Sequence, residues 1–188
     1  MSTAPILTSQ NDAIGFLNKP GGIGVLRTDT LYGVVAKASD NLAVERVYTV
    51  KGRTPTKSPI ILISSLGQLY DYYDADTIAY LSSVWPAAVS VILPSVNAPQ
   101  WLQRGNMSVA YRLPNSPLLC QLIDKTGPLI APSANPEGLT PAHSINEAHT
   151  YFGDLVDFYI DGGEVPLNTP PSQLIRYDTL AHKTERLR

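Results

Sequence analysis

Cysteine is nearly absent. Cys120 is the one thiol in 188 residues, so no intrachain disulfide can form and a disulfide-stapled secreted scaffold is excluded. Long apolar runs are missing too: none approaches the ~20 residues that a membrane-spanning helix needs. Residues 1–10 have neither a basic start nor a long apolar stretch, which argues against a secretory leader and makes the cytoplasm the expected compartment. Neither sign of charge dominates, with 14 Lys and Arg against 16 Asp and Glu and a net charge of −2. A uniformly basic nucleic-acid binder would not look like this. No repeat, low-complexity linker or composition shift breaks the chain, so residues 1–188 are expected to form one domain.

The common catalytic signatures are also lacking. Gly21, Gly22 and Gly24 stand without the Lys-Ser/Thr pair of a phosphate-binding loop, and no dinucleotide fingerprint follows a strand. The histidines His143, His149 and His182 are scattered and no cysteine joins them, so a zinc site is not expected. No nucleophile elbow is present. Cys120 lies in an apolar stretch that reads as a buried helix, where a thiol packs rather than reacts.

Proline and glycine are plentiful, at 16 and 13 residues, and predict many short elements joined by tight turns. A first helix is expected from residue 8 or 9, turning Ala13, Ile14 and Leu17 inward. Asp40 can cap a helix over 41–50. Further helices are expected over 66–72, 76–84 and 117–125 (pairing Leu118 with Leu122 and Leu119 with Ile123), and Ser144 can cap one that reaches Tyr151. Strands are expected over 23–26, 31–36, 60–63, 89–93, 108–113, 129–131, 158–160 and 173–177. Several strands adjoin without room for a crossover helix. That predicts an α/β fold with a mixed sheet flanked by helices, rather than a purely parallel one.

What remains as candidate chemistry is a set of polar clusters between these elements. Arg27-Thr28-Asp29-Thr30-Leu31-Tyr32-Gly33 places two hydroxyls around a carboxylate. It reads either as an Asx-type turn or as a grip on a small polar substrate. Lys51-Gly52-Arg53-Thr54-Pro55-Thr56-Lys57 ends a helix. One cation there suits the helix dipole, whereas three can hold polyphosphate, Arg as a planar fork and Lys as a point charge. Arg112 interrupts an apolar strand after Ser108-Val109-Ala110-Tyr111, and a buried arginine needs either a protein carboxylate or a ligand anion. Pro132-Ser133-Ala134-Asn135 presents a hydroxyl and an amide on one turn, and Ile160-Asp161-Gly162-Gly163 is followed by Pro171-Ser172.

In this order and spacing, the clusters resemble the YrdC/Sua5 family from about residue 20 to residue 176. Thr-Asp-Thr-x-Tyr-Gly at 28–33, Lys51 with Arg53, Ser133 with Asn135, Val-Ala-x-Arg at 109–112 and Ile-Asp-Gly-Gly at 160–163 carry the likeness. The resemblance implies a twisted mixed sheet with a concave, positively charged cavity. It also implies a reaction in which L-threonine, bicarbonate and ATP become threonylcarbamoyl-AMP and pyrophosphate. A partner threonylcarbamoyl transferase complex then modifies an adenosine of tRNA, with tRNA contact by this chain left open. By the same resemblance, Thr30, Arg112, Ser133 and Ser172 would bind threonine, Arg112 through the carboxylate. Arg53, Lys57, Ser108, Asn135, His143 and Arg186 would hold ATP, with Arg188 competing for the last place. Lys51 and Arg53 would offset charge on the reacting phosphates, with Mg2+ carried by ATP rather than by a protein cage.

Several positions depart from the family pattern. Arg27 stands where proline is usual, Ala87-Ala88 replace a Gly-Pro pair, Pro132 replaces a frequent threonine, and Gln173 follows Ser172 where threonine is common. The length resembles the short branch of the family. Two other readings compete: a YrdC-like module that binds RNA or nucleotide without chemistry, and a carbamoyl-transfer role like that of the YrdC-like part of hydrogenase maturation proteins.

Overall fold

The helix boundaries follow capping chemistry written in the chain. The computed structural model describes residues 3–188. Its helices are α1 (Ala13–Leu17), α2 (Asn41–Lys51), α3 (Ala75–Val84), α4 (Gln100–Gln103), α5 (Pro117–Thr126) and α6 (Ile145–Phe152). Asp40 caps α2 by accepting from the Ala43 amide at 3.1 Å, and Asp74 caps α3 through the Thr77 amide at 2.7 Å. Ser116 caps α5, with Pro117 at its first turn, where a missing N–H costs nothing. Ser144 caps α6 through Glu147, whose carboxylate reaches back to the His143 amide at 2.7 Å. Gly52 ends α2 in the left-handed region at φ 57°, a conformation that a Cβ disfavours.

The strands are β1 (Ile6–Leu7), β2 (Ile23–Arg27), β3 (Tyr32–Lys37), β4 (Ile60–Leu62), β5 (Val89–Pro94), β6 (Ser108–Arg112), β7 (Leu129–Ile130), β8 (Phe158–Ile160), β9 (Gln173–Asp178) and β10 (Lys183–Arg186). They form one ten-stranded sheet in the order β1-β8-β2-β3-β7-β4-β6-β5-β9-β10. β4 runs parallel to β6 and β5 parallel to β9, whereas β2–β3, β3–β7 and β5–β6 are antiparallel. The sheet is therefore mixed, as expected.

Strand alternation divides the core between the two faces. Val25, Val34 and Ile61 point to the face covered by α2, α3, α4 and α6, where Val44, Val47, Leu81, Leu102 and Phe152 are buried. Leu26, Val35 and Leu62 point to the other face, covered by α1 and α5 through Ala13, Leu17, Leu119, Leu122 and Ile123. A sheet buried on both faces leaves its loop ends as the natural place for a binding site.

Four expectations need correction. Residues 66–72 are not a helix; only a 3-10 turn forms, over Leu66–Gln68. Tertiary partners outcompete the helical bonds there. The Tyr70 amide donates to the Tyr111 hydroxyl at 3.1 Å, and the Asp71 carboxylate accepts from the Val96 and Asn97 amides at 3.0 Å each. Helix α1 is preceded by a separate 3-10 turn over Gln10–Asp12, although Ala13 and Leu17 are buried as expected. Leu118 is 64% exposed and Cys120 only half-buried, because α5 turns Leu119, Leu122 and Ile123 to the sheet instead. The elements β1, α4 and β10 had no expectation at all. The first two are too short for any periodicity to register, and β10 is exposed throughout.

Candidate active site

Loops from distant parts of the chain converge at one end of the central strands. The β2–β3 turn supplies Thr28 and Thr30, whose hydroxyls lie 3.2 Å apart; Thr28 also donates to the Leu31 carbonyl at 2.8 Å. The pairing of β3 with β7 continues past the strand ends. Val34 N–H donates to Pro132 O at 2.9 Å and Ala134 N–H to Tyr32 O at 2.7 Å. Gly33 bridges Ser133 between them, which lays the Ser133 turn beside the Thr28–Thr30 turn.

Two chambers open at this junction. The smaller, of about 400 Å³, is walled by Thr30, Arg112, Ser133, Ser172 and His143 among others. The larger, of about 850 Å³, carries Arg53, Lys57, Arg176 and Arg188 against one carboxylate, Asp178, with Ser108 in its wall. Arg53, Ile60 and Arg188 line both chambers. The structure thus brings Thr30, Arg112, Ser133 and Ser172 into one small polar space. It sets Lys57 and Ser108 in the adjoining large one, with Arg53 at the boundary.

Arg112 is buried and faces Asp29 at 3.0 Å, with both side chains 4% exposed. Burial pushes the guanidinium pKa down and Asp29 pulls it back up. Among the described residues the Nε atoms of Arg112 and Arg53 are buried without a hydrogen-bond partner. Such donors normally find an acceptor. Ser172 is 2% exposed; its hydroxyl lies 2.9 Å from that of Ser90.

Other expected site residues stand elsewhere. Lys51 is 3% exposed, and its ammonium donates to the carbonyls of Ser133 and Asn135. Burial lowers its pKa to about 7, helped by nearby Arg53 and opposed by Glu137. It lines neither chamber. Nor does Asn135, whose amide is spent inside its own loop. Its Nδ2 donates to the Pro136 and Leu139 carbonyls at 2.9 and 2.8 Å, and its Oδ1 accepts from Ser133 at 2.6 Å. His143 borders the smaller chamber rather than the larger, with Nδ1 3.2 Å from the Val165 carbonyl.

Of the two C-terminal arginines, Arg188 lines both chambers and Arg186 neither. Arg186 lies exposed on β10, Nε 3.3 Å from the Arg188 carbonyl, and borders neither chamber. Beyond the end of β10, Arg188 donates from Nε to the Ser172 carbonyl at 3.1 Å.

Sequence reasoning missed the residues that act behind the walls. In the sequence Asp29 is only the centre of its cluster, whereas in the structure it is the counter-ion of Arg112. Glu137 had no signal. It pairs with Lys57 and accepts from the Thr54 amide and hydroxyl, and these contacts hold its carboxyl down at about 2. The altered Ala87-Ala88 segment is tied to the sheet by Ala87 N–H on Leu113 O at 3.1 Å and Gln173 N–H on Ala88 O at 2.9 Å. Among the described residues, no group of His, Cys, Asp or Glu is placed to hold a metal ion.

A mixed sheet of this kind has known counterparts. The Sua5/YciO/YrdC family model, described as "Telomere recombination", matches residues 17–188, and the chain belongs to this family. It is similar to the threonylcarbamoyl-AMP synthase of Pseudoalteromonas translucida (strain TAC 125), 32% identical over 164 residues that cover 82% of this chain and 86% of that protein. The Coxiella burnetii (strain RSA 493 / Nine Mile phase I) protein of the same name is 31% identical over 169 residues, covering 86% and 89%. Among solved structures, P. abyssi Sua5 complexed with L-threonine superposes with a TM-score of 0.86 at 28% identity, covering 98% of this chain. The chain spans 56% of that Sua5's length. E. coli YciO superposes with a TM-score of 0.82 at 21% identity over 98% of this chain and 93% of its own, which shows the fold.

Proposed function

We propose that the chain is a threonylcarbamoyl-AMP synthase, converting L-threonine, bicarbonate and ATP into threonylcarbamoyl-AMP and pyrophosphate. The observation that carries this reading is the pair of adjoining chambers sharing Arg53 and Arg188. An amino acid in the smaller one and a nucleotide in the larger meet where two guanidinium groups stand. The relatives named for this activity, and a neighbour complexed with L-threonine, support the same assignment.

The chemistry balances without a covalent nucleophile. The threonine amine takes the carbon of bicarbonate with loss of water, giving a carbamate. A carbamate oxygen attacks the α-phosphorus, and the bond from α-phosphorus to the bridging oxygen breaks to release pyrophosphate. The protein's task is to align two anions and offset charge on the phosphates. Arg112 takes the threonine carboxylate through its unpaired Nε–H, while Thr30, Ser133 and Ser172 surround the remaining polar atoms. Arg53, Arg188 and Lys57 face the phosphates, with Ser108 beside the nucleotide. Lys51 and Asn135 hold the Ser133 turn in place from behind. Any Mg2+ would be carried by ATP and would add positive charge at the phosphates, since the described residues offer no His, Cys, Asp or Glu group to hold it.

Residues 1–188 act as one domain in this reading, supported by the single continuous sheet. The product passes to a threonylcarbamoyl transferase complex that modifies an adenosine of tRNA, in the cytoplasm. No helix among the described residues is long and apolar enough to cross a membrane.

The test is pyrophosphate release from ATP in bicarbonate buffer. Release that requires both L-threonine and bicarbonate supports the assignment. ATP binding without release contradicts it and favours a nucleotide-binding module. Arg53→Ala is expected to abolish release while leaving the thermal melt cooperative, and normal turnover in that variant refutes the site.

A further inference from the structure

The outer wall of the smaller chamber belongs to the segment 161–172, which joins β8 to β9 without regular structure. Leu167, Thr169, Pro171 and Ser172 all border the chamber, so the position of this strap sets the chamber's shape. At its distal end Ser172 is fixed by Ser90 and Arg188. In the middle the Val165 amide donates to the His143 carbonyl at 2.8 Å. The proximal end is gripped from the β2–β3 hairpin, by two residues that face each other across its mouth, Arg27 and Tyr32.

Their grips differ. The Tyr32 hydroxyl accepts from the Gly162 amide at 2.9 Å and donates to the Gly163 carbonyl at 2.9 Å. Arg27 Nη1 donates to the Gly162 carbonyl at 2.9 Å and the Glu164 carbonyl at 3.2 Å. The strap also lies flat on the arginine stem: a Cβ on Gly162 would sit 2.5 Å from Arg27 Cβ, a contact only glycine permits. The rest of the strap is largely exposed, Leu167 reaching 81%. Its own burial comes from Val165, 2% exposed in the core, and from Ser172 at its end, so the exposed stretch between β8 and Val165 depends on Arg27 and Tyr32 for its order.

We infer that Arg27 is a positioning residue for the amino-acid substrate: through Gly162 and Glu164 it preorganises the strap that closes the threonine chamber. The inference rests on the synthase reading above. Arg27 does not itself border either chamber, so it acts only through the strap. Without its grip, Tyr32 alone holds this end of the strap, and part of its ordering falls to threonine binding. That weakens ground-state and transition-state binding of threonine alike, which raises KM and spares kcat. The nucleotide chamber contains no residue between 161 and 172 and is unaffected.

The experiment compares wild type, Arg27→Ala and Arg27→Lys by amide hydrogen exchange and steady-state kinetics. Arg27→Ala is expected to speed exchange in 163–169 and to raise the KM for L-threonine about tenfold. Its kcat and its KM for ATP should stay within about twofold of wild type. One nitrogen serves both carbonyls, so a lysine ammonium, one bond shorter but carrying three N–H groups, should restore much of the effect. Unchanged exchange in Arg27→Ala overturns the grip. Faster exchange with an unchanged threonine KM overturns its role in binding, and an equal rise in both KM values points to general loosening and overturns it too. A wild-type chain without threonine-dependent turnover refutes the synthase reading instead, while the exchange contrast still decides whether Arg27 holds the strap.

Discussion

Arg112 and Asp29 face each other at 3.0 Å with 4% of either side chain exposed, so the buried arginine of the smaller chamber carries its own counter-ion. Removing one partner of a buried pair leaves an uncompensated charge, which typically costs about 3–5 kcal/mol. Asp29→Asn is expected to lose that order of stability in urea melts. The double change Asp29→Leu with Arg112→Met should regain most of it yet bind no threonine. Wild-type threonine affinity in that double variant would remove Arg112 from the site.

Lys51 offers a test by pH. Its folded pKa is lowered to about 7 from 10.5, first by burial, so the unfolded chain holds the extra proton between these values. Stability from this group therefore rises as pH goes from about 7 towards 10.5. A neutral amine keeps two N–H groups and can still serve both the Ser133 and the Asn135 carbonyl. Wild type should gain on Lys51→Met across that window, measured as the difference in urea midpoints. A constant difference would show that burial does not govern its protonation.

Glu137 works in the opposite window. Its carboxyl is lowered from 4.5 to about 2, first by Lys57 and then by the Thr54 amide. The contribution is present above pH 4.5 and is lost as pH falls towards 2. Glu137→Gln should be less stable than wild type at pH 7, with the gap closing in acid. Because Glu137 holds the Thr54–Lys57 loop, the same variant should raise the KM for ATP more than that for threonine.

The two C-terminal arginines are separated by a single comparison. Arg186→Ala should leave turnover close to wild type, since Arg186 borders neither chamber. Arg188→Ala removes a guanidinium from both walls and the Nε bond to the Ser172 carbonyl. It should lower kcat/KM by about tenfold or more, as loss of a charged contact to a phosphate or a wall does. The reverse ranking would restore Arg186 to the site.

Helix ends were legible in the chain because capping is local. Asp40 and Ser144 each cap the helix that follows them, and a side chain reaching two or three residues ahead needs no tertiary partner. The mixed character of the sheet was legible for a similar reason, since adjacent strands without a crossover must pair antiparallel. Residues 66–72 failed because their polar groups are claimed by Tyr111, Val96 and Asn97, 25 or more residues away in the chain.

The sequence by itself determined which residue types the site could draw on: hydroxyls around Asp29, cations after α2, a lone arginine in an apolar strand and a serine-asparagine turn. Their order along the chain identified the family. Only the tertiary structure decided which of them share a wall. Sheet pairing laid the Ser133 turn against the Thr28–Thr30 turn, burial turned Lys51 into a strut, and the path of the chain beyond β10 brought Arg188 to the chambers in place of Arg186. Each of these depends on contacts between residues far apart in the chain, and local pattern carries no information about which distant partner will satisfy a buried charge or an open hydrogen bond.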